Sequence, residues 1–256
     1  MEATTMALHD PMTSPGHGDL ARIGVVVSHG FSGSPESVRP WAEHFAAQGF
    51  AVRMPLLPGH GTSWQEMSRT PWQRWYSEVE RAYFELASTC EQVFVAGLSM
   101  GGALALRIAE HHPVAGLALV NPALAVVDPR AKLAGLMQYV LKSTPAIGND
   151  ILKPGAEEYA YDRTPVASVA QLMKLIKDTS GNLAKVTAPI TVFHSTVDHI
   201  VAASSVARIQ AGVSSKDVHI LKLSNSYHVA TLDNDAPEIF TRSSDFFKEL
   251  AGVHNS

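Results

Sequence analysis

The stretch VFVAGLSMGG, residues 93–102, decides the fold. Its first four residues are an apolar run typical of a buried strand, and residues 103–110 after it are typical of a helix. Between the two, Ser99 stands in a Gly-x-Ser-x-Gly pattern whose glycines permit a sharp strand-to-helix turn. Such a turn raises the hydroxyl above the end of a sheet and aims the following N–H groups at a developing oxyanion. The stretch therefore predicts a nucleophilic serine.

Short valine-rich runs alternate with longer amphipathic segments along the chain. The alternation predicts an α/β fold, with a mostly parallel central sheet and helices on both faces. One helix is predicted over 35–48, ending at Gly49, and another runs to about Ser88, with Thr70 as its N-cap and Pro71 in its first turn. The predicted strands are Gly24–Ser28, Ala51–Met54, Val93–Ala96, Gly116–Val120, Ile190–His194 and Val218–Leu223.

Composition and charge limit the class of protein. The chain has 256 residues and 46% apolar content, enough for one full core, so residues 1–256 are predicted to form a single domain. The net charge of -4 comes without a dense basic run, so the sequence predicts no electrostatic surface for nucleic acid and none for an anionic membrane. Small neutral substrates fit this composition better.

Three features of the chain predict a cytoplasmic location. Cys90 is the only cysteine, so no internal disulfide can form, and a reducing compartment suits the chain. Residues 1–18 lack the positive cluster and the apolar stretch of a secretory signal, and we predict an irregular lead-in there. No stretch has the roughly 18 apolar residues of a membrane span.

The regular alternation stops between residues 121 and 185, after the strand that ends near Val120. A long insertion in a regular α/β chain is usually a lid or a binding element. We predict that residues 121–185 form a small inserted cap subdomain that closes over the sheet edge near Ser99 and makes an apolar pocket for an acyl chain. The apolar side chains of this insertion are Leu133, Leu136, Met137, Tyr139, Val140, Ile147, Ile151 and those within 170–176. Most of them are expected to pack the cap onto the core.

Asp198 and His228 are the predicted partners of Ser99. A serine hydroxyl needs a histidine to take its proton and a carboxylate to orient that histidine. In α/β-hydrolases the acid and then the histidine follow the serine, each on a loop after a later strand. Asp198 follows the strand Ile190–His194, and His228 follows the strand Val218–Leu223. We therefore predict a catalytic triad of these three residues.

None of the competing residues has the position of Asp198 or His228. Asp233 and Asp235 are alternative acids, but both follow His228 in sequence, and Asp235 is typical of the N-cap of a last helix. The competing histidines stand at a helix end, within a strand or beside the acid; they are His111, His112, His194 and His199.

Met100 and Phe31 are the predicted donors to the oxyanion. The turn at the serine supplies the backbone N–H of Met100. The second donor is expected on the loop after an early strand, where HGFSG, residues 29–33, follows a valine run. The glycines of this loop permit a close backbone approach. We assign the second donor to the N–H of Phe31 and interpret His29 as a structural turn residue.

Together these motifs resemble the α/β-hydrolase superfamily over residues 23–250. More closely, five segments look like those of bacterial monoacylglycerol lipases and the small carboxylesterases related to them: VSHGFSGSPESVRPWAEHFAAQGF, LPGHGT, FVAGLSMGG, STVDHIV and NSYHVATLD. The resemblance implies the same triad of Ser99, Asp198 and His228, and the same oxyanion donors, Phe31 and Met100.

The cap carries a second resemblance. EYAYDRTP, residues 158–165, is similar to the family segment whose first glutamate binds the glycerol hydroxyls of a monoglyceride. The resemblance implies that Glu158 binds substrate, and a carboxylate suits a diol because it accepts hydrogen bonds from two adjacent hydroxyls. A solvated surface glutamate beside Glu157 is the alternative. Residues 123–151 match the family only loosely, so no acyl-length preference is implied.

The sequence thus predicts a carboxylic ester hydrolase that cleaves monoacylglycerols through an acyl-enzyme. Three alternatives stay open: a general carboxylesterase acting on short to medium acyl esters, a peroxide-dependent haloperoxidase-like activity that uses the same triad, and a non-catalytic ligand-binding protein that has kept the fold. The partner is a small-molecule acyl ester; no metal, organic cofactor or nucleic acid is implied. A transient membrane contact through the cap is compatible with the sequence, which indicates no oligomeric state.

Overall fold

A central sheet organises the molecule. The computed structural model describes residues 9–146 and 148–253. Within them, the strands are β1 (Met12–Ser14), β2 (Ile23–Ser28), β3 (Ala51–Met54), β4 (Gln92–Leu98), β5 (Gly116–Val120), β6 (Ser143–Pro145), β7 (Arg163–Pro165), β8 (Ile190–Ser195) and β9 (Val218–Leu223). The order across the sheet is β1-β3-β2-β4-β5-β8-β9, while β6 and β7 pair in a separate ribbon. Every neighbouring pair in the sheet is parallel except β1 and β3, so the predicted mostly parallel sheet is confirmed.

Helices cover both faces of this sheet, as predicted. The described α-helices of four residues or more are α1 (Arg39–Gln48), α2 (Trp64–Met67), α3 (Trp72–Ala87), α4 (Met100–His111), α5 (Ala134–Met137), α6 (Val166–Ser180), α7 (Ser204–Gly212) and α8 (Ala236–Leu250). Short 3-10 turns occupy Gly18–Arg22, Pro35–Val38, Pro129–Leu133 and Leu183–Lys185. None of the described helices is long and apolar enough to cross a membrane.

Period-two alternation in the strands gives the sheet two apolar faces. Val25 and Phe94 belong to one buried cluster, to which α1 and α8 contribute their apolar sides. Val26 and Val95, the next residues along the same strands, belong to a second cluster with α3, α4, α6 and α7. The sheet is therefore buried on both sides, and polar groups that must reach substrate are confined to its edges and strand ends.

The prediction of an irregular lead-in is wrong for residues 12–14, which form the edge strand β1. Met12 lies opposite Met54, and Ser14 lies opposite Val52, in antiparallel register. An edge strand forms its ladder on one side only, so it tolerates the neighbouring Pro11 and Pro15 that made the segment look like a loop. Residues 1–8 of the predicted lead-in lie outside the described range.

The predicted start of α3 is also wrong by one residue. Helix α3 begins at Trp72, and its N-cap position is occupied by Pro71. The Thr70 hydroxyl donates instead to the carbonyl oxygen of Glu66, at 3.1 Å, at the end of the preceding helical turn. The helix relies on its buried apolar side, which includes Trp75 and Val79, rather than on a side-chain cap.

Residues 121–185 connect β5 to β8 and, in the part that the structure describes, add no strand to the central sheet. Their apolar side chains fall into two groups. Leu172, Leu175 and Ile176 of α6 are buried in the core cluster, and Ile151 packs against the other cluster. The second group is exposed to solvent and comprises Leu133, Leu136, Met137, Tyr139, Val140 and Leu141. The expectation of core packing is therefore wrong for this group, which we call the exposed cap patch; Ile147 lies outside the described residues.

Candidate active site

Ser99 occupies the turn between β4 and α4. Its backbone has φ 56° and ψ −116°, a conformation that residues other than glycine rarely adopt. Hydrogen bonds hold it there, because the Ser99 N–H donates to Val120 O at 2.9 Å and Ser99 O accepts from the N–H of Ala123 at 3.0 Å. Strand β5 and the residues after it thus support the strained turn.

The glycines on either side of the serine are required by close backbone contacts. A Cβ atom on Gly101 would lie 2.1 Å from Ser28 O, and a Cβ atom on Gly97 would lie 2.3 Å from Gly101 O. Both distances are far below van der Waals contact. The start of α4 can approach β2 and β4 this closely only without side chains at these positions.

The structure brings the three predicted triad residues together. Ser99 Oγ lies 2.9 Å from His228 Nε2, and His228 Nδ1 lies 2.8 Å from Asp198 Oδ2. An ionised carboxylate only accepts hydrogen bonds, so His228 donates from Nδ1 and leaves Nε2 free to accept the serine proton. Both partners of the serine are shielded from solvent, with side-chain exposures of 8% for His228 and 3% for Asp198.

Asp198 is held in its ionised form. Burial alone would raise its pKa, but the hydrogen bond and charge of His228 oppose this effect. The N–H groups of Ile200 and Val201 also donate to Asp198 Oδ1, at 2.9 and 2.8 Å. Together these contacts lower the pKa of Asp198 below its ordinary value, as a residue that orients an imidazole requires.

The competing residues have other contacts. The His112 ring lies 2.7 Å from Glu80 Oε1, and the His199 ring lies 2.7 Å from Asp150 Oδ1. Asp235 occupies the N-cap position of α8, but its carboxylate accepts from Asn225 N instead of capping the helix. The Asp233 carboxylate accepts only backbone N–H groups in the described part of the chain.

The predicted oxyanion loop lies directly beside the serine. A Cβ atom on Gly30 would lie 3.3 Å from Ser99 Cβ, so Phe31 follows a residue in contact with the nucleophile. The loop is fixed by His29, whose Nε2 accepts the N–H of Leu57 at 3.1 Å. Burial, with a smaller effect of His60, lowers the pKa of His29 to about 3, so this ring is neutral and structural. Within the described residues, the N–H groups of Phe31 and Met100 donate to no protein acceptor.

Glu158 lies beside Gly33, at the end of the predicted oxyanion loop. A Cβ atom on Gly33 would lie 2.7 Å from Glu158 Oε1, which places the carboxylate against this loop. Its oxygen atoms accept no hydrogen bond from any residue that the structure describes. Burial raises the pKa of Glu158 to about 7; the charge of His228 opposes this effect, and that of Glu36 adds to it.

Tyr161 fixes the segment that carries Glu158. The Tyr161 hydroxyl donates to Gly59 O at 2.8 Å and accepts the N–H of Thr62 at 3.0 Å. The Glu158 N–H donates to Asn149 Oδ1 at 2.6 Å. The backbone that carries the unpartnered Glu158 carboxylate is therefore held in place by these hydrogen bonds.

Asn121 is a supporting residue that the sequence analysis missed. Its amide nitrogen donates to His228 O at 2.8 Å and to Ser195 Oγ at 2.9 Å, and its oxygen accepts the N–H of Ser195. It thus ties the end of β5 to β8 and to the histidine loop. The available signal was a polar residue directly after a buried strand, at the edge where Ser99 emerges.

Comparison with known proteins places this arrangement in a family. Residues 21–235 match the Hydrolase_4 family, described as serine aminopeptidase, S33. The chain belongs to the Hydrolase_4 family. Like other members, this Hydrolase_4 protein is a hydrolase with the α/β-hydrolase fold, so the predicted fold and enzyme class are confirmed. Among the described residues there is no cluster of three or more side chains suited to hold a metal ion.

The relatives of this Hydrolase_4 protein include lipolytic enzymes. The thermostable monoacylglycerol lipase of Bacillus sp. (strain H-257) is 41% identical over 242 residues, which cover 93% of this chain and 95% of that protein. The carboxylesterase of Bacillus subtilis (strain 168) is 25% identical over 241 residues, 94% of this chain and 96% of that protein. A solved structure from a study of LipS and LipT, two metagenome-derived lipolytic enzymes, superposes with a TM-score of 0.90 at 38% identity, covering 94% of this chain and 98% of that one.

Proposed function

We propose that this chain hydrolyses the ester bond of monoacylglycerols, releasing a fatty acid and glycerol. The observation that carries the proposal is the Glu158 carboxylate, which lies against Gly33 of the oxyanion loop without a hydrogen-bond partner among the described residues. A half-buried, unpartnered acceptor of this kind is suited to a ligand that brings hydroxyl groups. The 41% identical monoacylglycerol lipase supports the same substrate class.

In the first half of the proposed reaction, Ser99 Oγ attacks the ester carbonyl while its proton passes to His228 Nε2. Asp198 stabilises the imidazolium that forms, and the N–H groups of Phe31 and Met100 donate to the oxyanion. Collapse of the tetrahedral intermediate breaks the bond to the glycerol oxygen, which takes the proton from His228. Glycerol leaves, and the acyl group stays on the serine.

In the second half, His228 takes a proton from water, and the hydroxide that forms attacks the acyl-enzyme. The same two N–H groups hold the second oxyanion. Its collapse breaks the acyl bond to Ser99 Oγ, which regains its proton from His228. The products are the fatty acid and the free enzyme, and one water molecule is consumed.

Glu158 is proposed to select the alcohol. An ionised carboxylate accepts hydrogen bonds from two adjacent hydroxyls, which a glycerol group offers and a simple alkyl alcohol does not. An ester without these hydroxyls would leave the half-buried carboxylate without a hydrogen-bond partner, which makes binding of that ester weaker. The residue thus distinguishes monoacylglycerols from esters of general carboxylesterases.

The exposed cap patch is proposed to contact the lipid surface from which the substrate comes. Tyr139 and Val140 are 83% and 80% exposed, and Leu136 is 74% exposed. Neighbouring large apolar groups in contact with water are typical of an interaction surface. A cytoplasmic location is part of the same proposal, because a chain with one cysteine needs no oxidising compartment.

Replacement of the nucleophile tests the proposal. Ser99→Ala is expected to reduce kcat for a monoacylglycerol by about 10⁶-fold, because serine and histidine act as one unit. A fluorophosphonate probe should label the wild-type chain at Ser99 and leave the variant unlabelled. Ser88→Ala, at an exposed serine after α3, is the matched control and should keep both activity and labelling. Substantial turnover by Ser99→Ala would rule out the assigned nucleophile.

A further inference from the structure

The cap contacts both catalytic loops through one short segment. We call residues 149–153 the strap. Asp150 Oδ2 accepts the backbone N–H groups of His199 and His228, each at 3.2 Å. Its other oxygen, Oδ1, lies 2.7 Å from the Nδ1 atom of His199. One carboxylate therefore joins the residue after the triad acid to the triad histidine itself.

The histidine loop binds the strap in return. Asp233 Oδ2 accepts the N–H groups of Leu152 and Tyr227, at 2.7 and 2.9 Å, and Asp233 Oδ1 accepts that of Lys153 at 2.9 Å. In addition, the N–H of Val229 donates to the backbone oxygen of Asp150 at 3.1 Å. His228 and Val229 are thus bonded directly to the strap, and Tyr227 is linked to it through Asp233.

We propose that Asp150 is a positioning residue that keeps His228 within reach of Ser99 and Asp198. This inference rests on the proposed triad. Hydrogen bonds from N–H groups to a carboxylate are among the stronger ones in proteins, and Asp150 is only 13% exposed, so water competes weakly for it. Asp150 acts on the backbone of His228, while Asp198 acts on its ring. Asp150 therefore fixes the position of the imidazole ring, and Asp198 fixes its orientation.

The location of the strap explains why such a residue is needed. Asp198 and His228 lie on loops after β8 and β9, and each loop leaves the sheet at a strand end, where no ladder hydrogen bond restrains it. Asn121 holds the His228 loop from the sheet side. Asp150 holds it from the cap side. A small displacement of a catalytic group, of about 1 Å, costs up to about 100-fold in rate.

Two substitutions at Asp150 separate positioning from charge. In Asp150→Ala, the N–H groups of His199 and His228 lose their acceptor, and kcat is expected to fall by about 10- to 100-fold with little change in KM. In Asp150→Asn, the amide oxygen still accepts both N–H groups, so kcat should stay within about threefold of the wild type. Asp162→Ala is the matched control: its carboxylate is exposed, lies in the same cap and forms no hydrogen bond with a described residue.

The measurement is kcat per active site. A fluorophosphonate, left to react to completion, counts competent Ser99 residues in each preparation, and turnover of a monoacylglycerol and of an aryl ester is divided by that count. A loss in Asp150→Ala of equal size on both substrates, restored in Asp150→Asn, is the expected result. An unchanged kcat per site in Asp150→Ala, or a loss in Asp150→Asn as large as in Asp150→Ala, overturns the inference. Failure of the wild-type chain to be labelled or to turn over ester would instead overturn the proposed function.

Discussion

The sheet side of the site and its cap side differ in how their polar groups are satisfied. Around Ser99, the triad atoms are joined at 2.9 and 2.8 Å, and Asp198 accepts two further N–H groups. On the cap side, the Glu158 carboxylate accepts nothing from the described residues, and a patch of apolar side chains faces solvent. The groups proposed to react are therefore held in place by the fold before substrate binds. The groups proposed to select substrate gain hydrogen-bond or apolar partners only when the substrate binds.

The largest expected difference between the two sides is the change in stability when a glycine is replaced by alanine, which adds one methyl group. Gly101→Ala would place a Cβ atom 2.1 Å from Ser28 O, so we expect a loss of about 3 kcal/mol or more in the free energy of unfolding. That loss corresponds to a fall in Tm of about 10 °C. Gly135→Ala, in α5 of the cap, meets no atom within 4 Å and should stabilise the chain by about 0.5 kcal/mol.

Thermal and denaturant unfolding of both variants measures this contrast. Gly101→Ala should also lose ester hydrolysis, because the start of α4 sets the direction of the Met100 N–H. Equal stability of the two variants would show that the turn at Ser99 can relax, and that the sheet side is less rigid than its close backbone contacts indicate.

The next largest effect concerns pH and selectivity. Glu158, with its pKa raised to about 7, is protonated below that pH and ionised above it. Only the ionised form accepts hydrogen bonds at both oxygens, so the ratio of kcat/KM for a monoacylglycerol to that for an aryl ester should rise by about tenfold from pH 5.5 to pH 8.5. Effects of pH that are common to both substrates cancel in the ratio.

Glu158→Gln is the control for this pH dependence, since its amide does not titrate. The ratio should then be flat across the same pH range and low throughout. Two results would contradict the assignment: a flat ratio in the wild type, or the same rise in Glu158→Gln. Either would favour a general carboxylesterase.

The smallest effect on the folded chain is expected from the exposed cap patch. Leu136→Ser combined with Val140→Ser should change the free energy of unfolding by no more than about 0.5 kcal/mol, because both side chains already face water. Hydrolysis of a soluble aryl ester should not change. Co-sedimentation with lipid vesicles should decrease, and undiminished binding would show that the patch is not the contact surface.

The loops that carry the proposed triad were predictable from sequence because their signals are local. Ser99, Asp198 and His228 each follow an apolar run, and β3, β5 and β9 have the predicted bounds. The remaining features depend on tertiary contacts. Strand β1 exists only because β3 offers a free edge, and neither pattern nor composition shows where that edge lies.

Asp150 shows the same limit within the site. It stands in a segment without clear periodicity, between Asn149 and Ile151, and nothing near it in sequence suggests a role. Its contacts arise because the cap chain returns to loops 49 and 78 residues further on. Contacts at that separation are decided by packing, which a single sequence does not display.

The strap has a consequence for exchanging parts between relatives. Residues 121–185 enter and leave the sheet as one insertion, which invites the transplantation of a whole cap to alter the range of accepted esters. A donor cap that lacks an acceptor at the position of Asp150 would supply a new pocket. It would also leave the backbone of His228 unsupported, so that the histidine is misplaced. Chimeras with junctions that retain residues 149–153 should therefore stay active more often than chimeras that replace the insertion entirely.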